Sequence, residues 1–104
     1  MDELRVLDFV VGHLERYREI RRIVLFGSRA RGEADVESDF DICLFVEGVS
    51  DPRELHVTLM REIASPEWSI DLMILTEADF QLRLAEGWSV IRAIERDGRT
   101  LYAA

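Results

Sequence analysis

The run Ile23-Val24-Leu25-Phe26 limits the fold more than any other feature of this chain. Four consecutive apolar residues are too few for a helix and suit a strand, and Gly27 ends them. The strand therefore runs straight into a glycine-serine turn. The stretch GSRARGEADVESDFDI, residues 27 to 42, carries two arginines, Arg29 and Arg31, and two aspartates one residue apart, Asp39 and Asp41. A second strand is expected from Asp39 to Val46, broken by Gly48, so the loop must be held between two strands.

The remaining elements pack around that pair. Leu4, Leu7, Val11 and Leu14, with Val10 beside them, follow helical spacing behind an Asp2 cap. Asp51, Pro52 and Glu54 have the pattern of a helix start, and Leu55, Leu59 and Ile63 carry that helix to Ser65-Pro66. Trp68 to Leu75 reads as a third strand, with Ile70, Leu72 and Ile74 alternating with Asp71, Met73 and Leu75. Thr76 then caps a helix through Phe80 and Leu84; after Gly87 another uses Val90, Ile91 and Ile94 until Gly98 stops it. The expected class is α+β, or mixed α/β: a small mixed β-sheet with helices packed on it, one domain over residues 1–104.

Composition narrows the chemistry. A formal net charge of −8 argues against binding nucleic acid over a broad face, which needs clustered positive charge. The arginines are unevenly spread: Arg16, Arg18, Arg21, Arg22, Arg29 and Arg31 all fall between residues 16 and 32, so the excess is expected beside the loop, placed to attract a small polyphosphate. Lysine is absent, which excludes a Walker-type phosphate loop and Schiff-base chemistry. The single cysteine, Cys43, lies in an apolar run and is expected in the core. The opening residues lack the pattern of a signal peptide and no segment approaches membrane-spanning length, so a cytoplasmic location without membrane contact is expected.

Side chains two apart on a strand share a face, so Asp39 and Asp41 present two carboxylates to one side while Phe40 and Ile42 turn to the other. Two ionised carboxylates that close repel, and one tends to take up a proton unless a cation lies between them. Mg²⁺, a hard ion that prefers oxygen ligands and is completed by phosphates and water, suits this pair better than zinc does. Asp71 is the one charged residue in its strand, and a carboxylate there is costly unless paired or bound to metal. If its strand lies beside the Asp39 strand, Asp71 completes a three-carboxylate site for one or two ions. Gly27 lets the backbone approach a ligand, and a helical turn over Ser28 to Arg31 aims free N–H groups at phosphate oxygens. Ser28 adds a hydroxyl, and Arg29 or Arg31 neutralises charge on a leaving pyrophosphate.

Gly27-Ser28, a spacer containing Arg29-Ala30-Arg31-Gly32, then Ser38-Asp39-Phe40-Asp41 and a later Asp71 resemble the signature of the DNA polymerase beta-type nucleotidyltransferase superfamily. The short length and the ending from Ile94 to Tyr102 point to its minimal nucleotidyltransferase (MNT) group. The resemblance implies that Gly27 and Ser28 hold the triphosphate of ATP, that Asp39 and Asp41 bind Mg²⁺, and that Asp71 joins the metal site and helps activate the acceptor. It also implies the superfamily's nucleotidyltransferase fold. Phe40 and Ile42 stand where branched aliphatic residues are usual, Phe40 being the departure, and every acid of the motif is present. Members of the group commonly serve as antitoxins of a helical HEPN (higher eukaryotes and prokaryotes nucleotide-binding) ribonuclease toxin, silencing it by transferring AMP from ATP to a tyrosine.

Two alternatives stand beside that reading: a non-catalytic antitoxin that occludes its partner with an acidic surface, and a small-molecule nucleotidyltransferase of the antibiotic-modifying type. His13 and His56 have no metal-like spacing, while Trp68, Trp88 and Tyr102 read as packing or interface residues.

Overall fold

The computed structural model describes residues 2–104, which form four strands and five helices. Helix α1 (Glu3–Leu14) leads into β1 (Ile20–Phe26), the short helix α2 (Gly27–Arg31) and β2 (Phe40–Val46). Helix α3 (Pro52–Ile63), β3 (Ile70–Leu75), α4 (Glu77–Ala85), α5 (Ser89–Asp97) and β4 (Arg99–Ala103) follow. The sheet order is β3-β2-β1-β4; β1 pairs antiparallel with β2 and β4, and β2 pairs parallel with β3. A parallel pair needs a crossover, and α3 supplies it.

The helix starts follow from their capping residues. The side chains of Asp2, Asp51 and Thr76 accept from the backbone N–H groups of Leu4, Glu54 and Asp79. Each satisfies a donor that the first helical turn leaves without a partner.

Two cores form because the central strands are apolar on both faces. Ile23, Leu25, Phe40, Ile42, Leu44, Ile70 and Leu72 pack under α1 and α3. Val24, Phe26, Cys43, Phe45 and Leu75 pack under Phe80 of α4 and Ile91 and Ile94 of α5. Cys43 is fully buried, as expected, and burial pushes its thiol up to about 12.

Besides β2, which starts at Phe40 rather than Asp39, the structure differs from the sequence expectation in three places. Strand β1 starts at Ile20, because Arg22 lays its side chain over the Phe45 ring at 3.9 Å and bonds Glu77, letting a charged residue sit in a strand. Strand β3 starts at Ile70; Trp68 instead forms an isolated bridge with Ser65 and donates its indole N–H to the Ile63 carbonyl at 3.0 Å. Strand β4 was not expected at all. It is a five-residue edge strand whose Arg99 and Thr100 are exposed, and its pairing with β1 shifts register between Ile23 and Val24.

The longer β1 also separates the arginines. Seven residues of strand span about 20 Å, so Arg16, Arg18, Arg21 and Arg22 lie near the start of β1, and the Gly27 turn lies at its end. The expectation that this cluster flanks the loop is therefore not met. Arg21 and Arg22 instead approach Glu47 and Glu77 at 4.0 and 3.1 Å.

Candidate active site

Asp41 and Asp71 are direct register partners across the parallel β2–β3 pair. Paired residues on adjacent strands are about 4.8 Å apart and point to the same face. That face is the one α4 and α5 cover farther along, since Asp41 continues the row of Cys43 and Phe45. Asp39 precedes Asp41 by two and is exposed, in keeping with the same outward side. Phe40 and Ile42 are fully buried in the opposite core. The backbone N–H of Phe40 donates to the Ser69 carbonyl at 2.8 Å, which continues the pairing to the mouth of the site.

Gly27 supplies the other wall. Its φ is +73°, a region that disfavours residues with a side chain. A side-chain carbon placed there would also overlap the Asp41 carboxylate at Oδ2. The first residue of α2 thus lies directly against Asp41, and Phe26 is Asp41's register partner on β1. No side chain caps the start of α2 among the described residues, so the amide groups of its first turn, where Ser28 sits half-buried, remain for a ligand.

The two arginines of the turn, equivalent in sequence, are separated by the fold. Arg29 is 7% exposed. Its Nη2 donates to the carbonyls of Ser38 and Asp35 at 2.8 and 3.2 Å, its Nε donates to Ser38 at 3.1 Å, and its Nη1 is 3.6 Å from Glu3. Its guanidinium also lies 4.0 Å from the centre of the Phe40 ring. Arg29, one of two candidate phosphate ligands from the sequence, thus spends its donors holding the 32–39 loop. Arg31 stays at the surface, with Nε donating to Glu33 at 3.0 Å and Nη1 3.7 Å from Asp97.

The electrostatics of Asp41 follow from these neighbours. The Asp41 carboxyl is held above its ordinary range, first by burial and then by the negative charges of Asp71 and Asp39; Arg31 pulls it down. Asp71, Asp39 and Arg31 thus all act on the Asp41 carboxyl. The three acids are not drawn together as ligands: among the described residues no group of three His, Cys, Asp or Glu side chains is gathered closely enough to hold a metal ion. Three carboxylates facing an open amide turn fit a hard divalent cation that completes its shell with phosphate and water oxygens.

A cleft of about 320 Å³ lined by Val46, Pro52, Ile74, Leu75, Thr76 and Asp79 lies at the opposite end of β2 and β3. Asp51 and Thr76 already bond the helix amides there. The acidic end is open by comparison, with Asp39 and Asp71 exposed. Asp97 was not among the residues expected at the site. The signal for it is an acid at the C-terminus of a helix, where a cation is favoured.

A family model described as "Polymerase beta, Nucleotidyltransferase" matches residues 10–103. The chain belongs to that family. As a nucleotidyltransferase it is a transferase, and the motif residues named above are those that the fold brings to one end of the sheet. It is 29% identical over 97% of its length to a candidate protein adenylyltransferase of Methanocaldococcus jannaschii, 98% of which is covered. It is also similar to a toxin–antitoxin solved with AMP-PNP, with a TM-score of 0.67 at 20% identity, covering 99% of this chain and 75% of the other. A candidate nucleotidyltransferase of Sulfolobus solfataricus gives a TM-score of 0.65 at 19% identity over 96% of this chain and 79% of the other. A tri-AMPylated HEPN toxin of Shewanella oneidensis in complex with its MNT antitoxin gives 0.65 at 18% over 99% and 74%. At these identities the solved structures establish a shared nucleotidyltransferase fold.

Proposed function

We propose that the chain is a Mg²⁺-dependent protein adenylyltransferase that moves AMP from ATP to a hydroxyl, a tyrosine, of a helical HEPN-type toxin and so acts as its antitoxin. The observation that carries this reading is the register pairing of Asp41 with Asp71 beside the Gly27 turn. In this reading Asp39, Asp41 and Asp71 hold the metal, which when bound neutralises phosphate charge and lowers the pKa of the attacking hydroxyl.

The chain's own residues do the rest. Gly27 and Ser28 cradle the triphosphate, and Arg31 faces the charge that develops on pyrophosphate. The acceptor oxygen forms a bond to the α-phosphorus; the bond from that phosphorus to the α,β-bridging oxygen breaks, and pyrophosphate leaves with the electron pair. Asp71, exposed at the mouth, accepts the hydroxyl proton. The chain's two tyrosines, Tyr17 and Tyr102, pack against the core under α1 and α3, on the face away from Asp41. Neither is placed to be the acceptor of its own site, which favours an acceptor brought by another protein to an open acidic end. No helix among the described residues is long and apolar enough to cross a membrane; action in the cytoplasm as one catalytic domain belongs to the same reading.

The test is incubation with the toxin, labelled ATP and Mg²⁺. Label should reach a toxin tyrosine with the wild type and not with an Asp39→Ala, Asp41→Ala variant. Equal labelling by both, or none by the wild type, rejects the proposal.

A further inference from the structure

The end of α5 reaches the turn that bears Arg31 through an ion pair between Asp97 and Arg31. Asp97 is the last residue of α5, and its side chain is 16% exposed. It lies 3.7 Å from Nη1 of Arg31 through Oδ2 and also accepts from Arg96 at 2.8 and 3.1 Å. An acid at a helix C-terminus opposes the helix dipole, so helix stability does not account for it. Its backbone is fixed: a side-chain carbon at the following Gly98 would meet the Ile94 carbonyl and, at 2.8 Å, Cγ1 of Val24. The turn after α5 is thus packed against β1, and Asp97 is presented from a rigid support.

Arg31 needs such a support. A guanidinium beside three carboxylates is drawn onto them, where it would block both a cation and a phosphate. Glu33 on Nε and Asp97 beside Nη1 hold it back at the rim. Among the described residues Nη2 makes no hydrogen bond, and it remains available to a phosphate oxygen.

We propose that Asp97 is a positioning residue: it holds the Arg31 guanidinium at the rim of the acidic site in the orientation that receives the triphosphate of the nucleotide. The inference rests on the nucleotidyltransferase reading above. Asp97 touches no nucleotide itself and acts through Arg31, so its loss weakens recognition of the β- and γ-phosphates and leaves recognition of AMP unchanged.

The experiment is calorimetry of the full chain with ATP, and separately with AMP, in Mg²⁺, for wild type, Asp97→Asn, Asp97→Glu, Arg31→Ala and the double variant Arg31→Ala, Asp97→Asn. Asp97→Asn should bind ATP about tenfold more weakly with AMP affinity unchanged. Asp97→Glu should recover most of the loss, and Asp97→Asn should add nothing in the Arg31→Ala background. Equal ATP affinity for Asp97→Asn and wild type, equal losses for ATP and AMP, or additive losses in the double variant overturn the inference. Thermal melts of each variant identify a misfolded one, and Asp97→Glu then carries the test through its comparison with Arg31→Ala. Absence of ATP binding by the wild type overturns the nucleotidyltransferase reading itself, and this inference with it.

Discussion

Gly27 and Asp41 occupy adjoining space so closely that a side-chain carbon on the first would overlap a carboxylate oxygen of the second. The turn proposed to cradle phosphate and the acid proposed to hold the cation are thus built as one unit. Alanine at position 27 meets two penalties, the positive φ of +73° and the displaced carboxylate. Gly27→Ala should destabilise the fold by at least about 1 kcal/mol and abolish ATP binding. Denaturant unfolding and an ATP titration on the same preparation check both; ATP affinity at the wild-type level would show that the contact is not needed.

Asp41 predicts a trade between stability and function. Burial, Asp71 and Asp39 raise its carboxyl above the ordinary 3.8. A group raised in the folded state contributes stability that is full below its unfolded value and is lost as pH rises through the folded one. At neutral pH the metal-free wild type therefore carries an unfavourable charge that Asn would not. Asp41→Asn should melt about 2–4 °C higher than wild type at pH 7 in chelator, a modest gain because solvent screens the site. The gap should close as pH falls toward 3.8 and below. Transfer activity should be lost. Melting curves across pH decide it, and a variant that melts lower at pH 7 contradicts the argument.

Cys43 reports on the core beneath α4 and α5. It is fully buried, and its thiol is pushed up to about 12, so almost none is thiolate at pH 8. A thiol reagent at pH 8 should leave the native chain unlabelled and react fully in denaturant. The labelling midpoint should coincide with loss of the native Trp68 and Trp88 fluorescence. Rapid labelling of the folded chain would mean that this core opens locally.

What the sequence disclosed and what it hid separate along physical lines. The caps Asp2, Asp51 and Thr76 and the apolar spacings are local signals, and the helices start where those residues place them. The strand Arg99–Ala103 gave no such signal, because an exposed edge strand needs little apolar content. That Asp41 stands beside Asp71 depended on β2 and β3 pairing in register, which the alternation of Ile70, Leu72 and Ile74 makes consistent but does not specify. The arginines 16 to 22 misled for a related reason: closeness in sequence to Gly27 becomes a strand's length of separation once β1 is extended. The different duties of Arg29 and Arg31 follow only from which side of a single helical turn faces the core.

Those two arginines give the sharpest contrast to test. Arg29 joins the 32–39 loop to the fold through the carbonyls of Asp35 and Ser38 and covers Phe40. Its removal leaves carbonyls without donors and a ring without its cover, a loss of about 2–4 kcal/mol. Arg29→Lys should recover little, because one ammonium cannot reproduce a planar fork with three occupied nitrogens. Because Ser38 precedes Asp39, the loosened loop also frees the carboxylate proposed to bind metal, so turnover should fall even where the chain remains folded. Arg31→Ala should do the reverse, leaving the unfolding midpoint near that of wild type while ATP affinity drops. Chemical denaturation, amide exchange over residues 33–38 and ATP calorimetry separate the two. If Arg31→Ala proves the more destabilising variant and Arg29→Ala the one that loses ATP, the assignment of the two side chains is reversed.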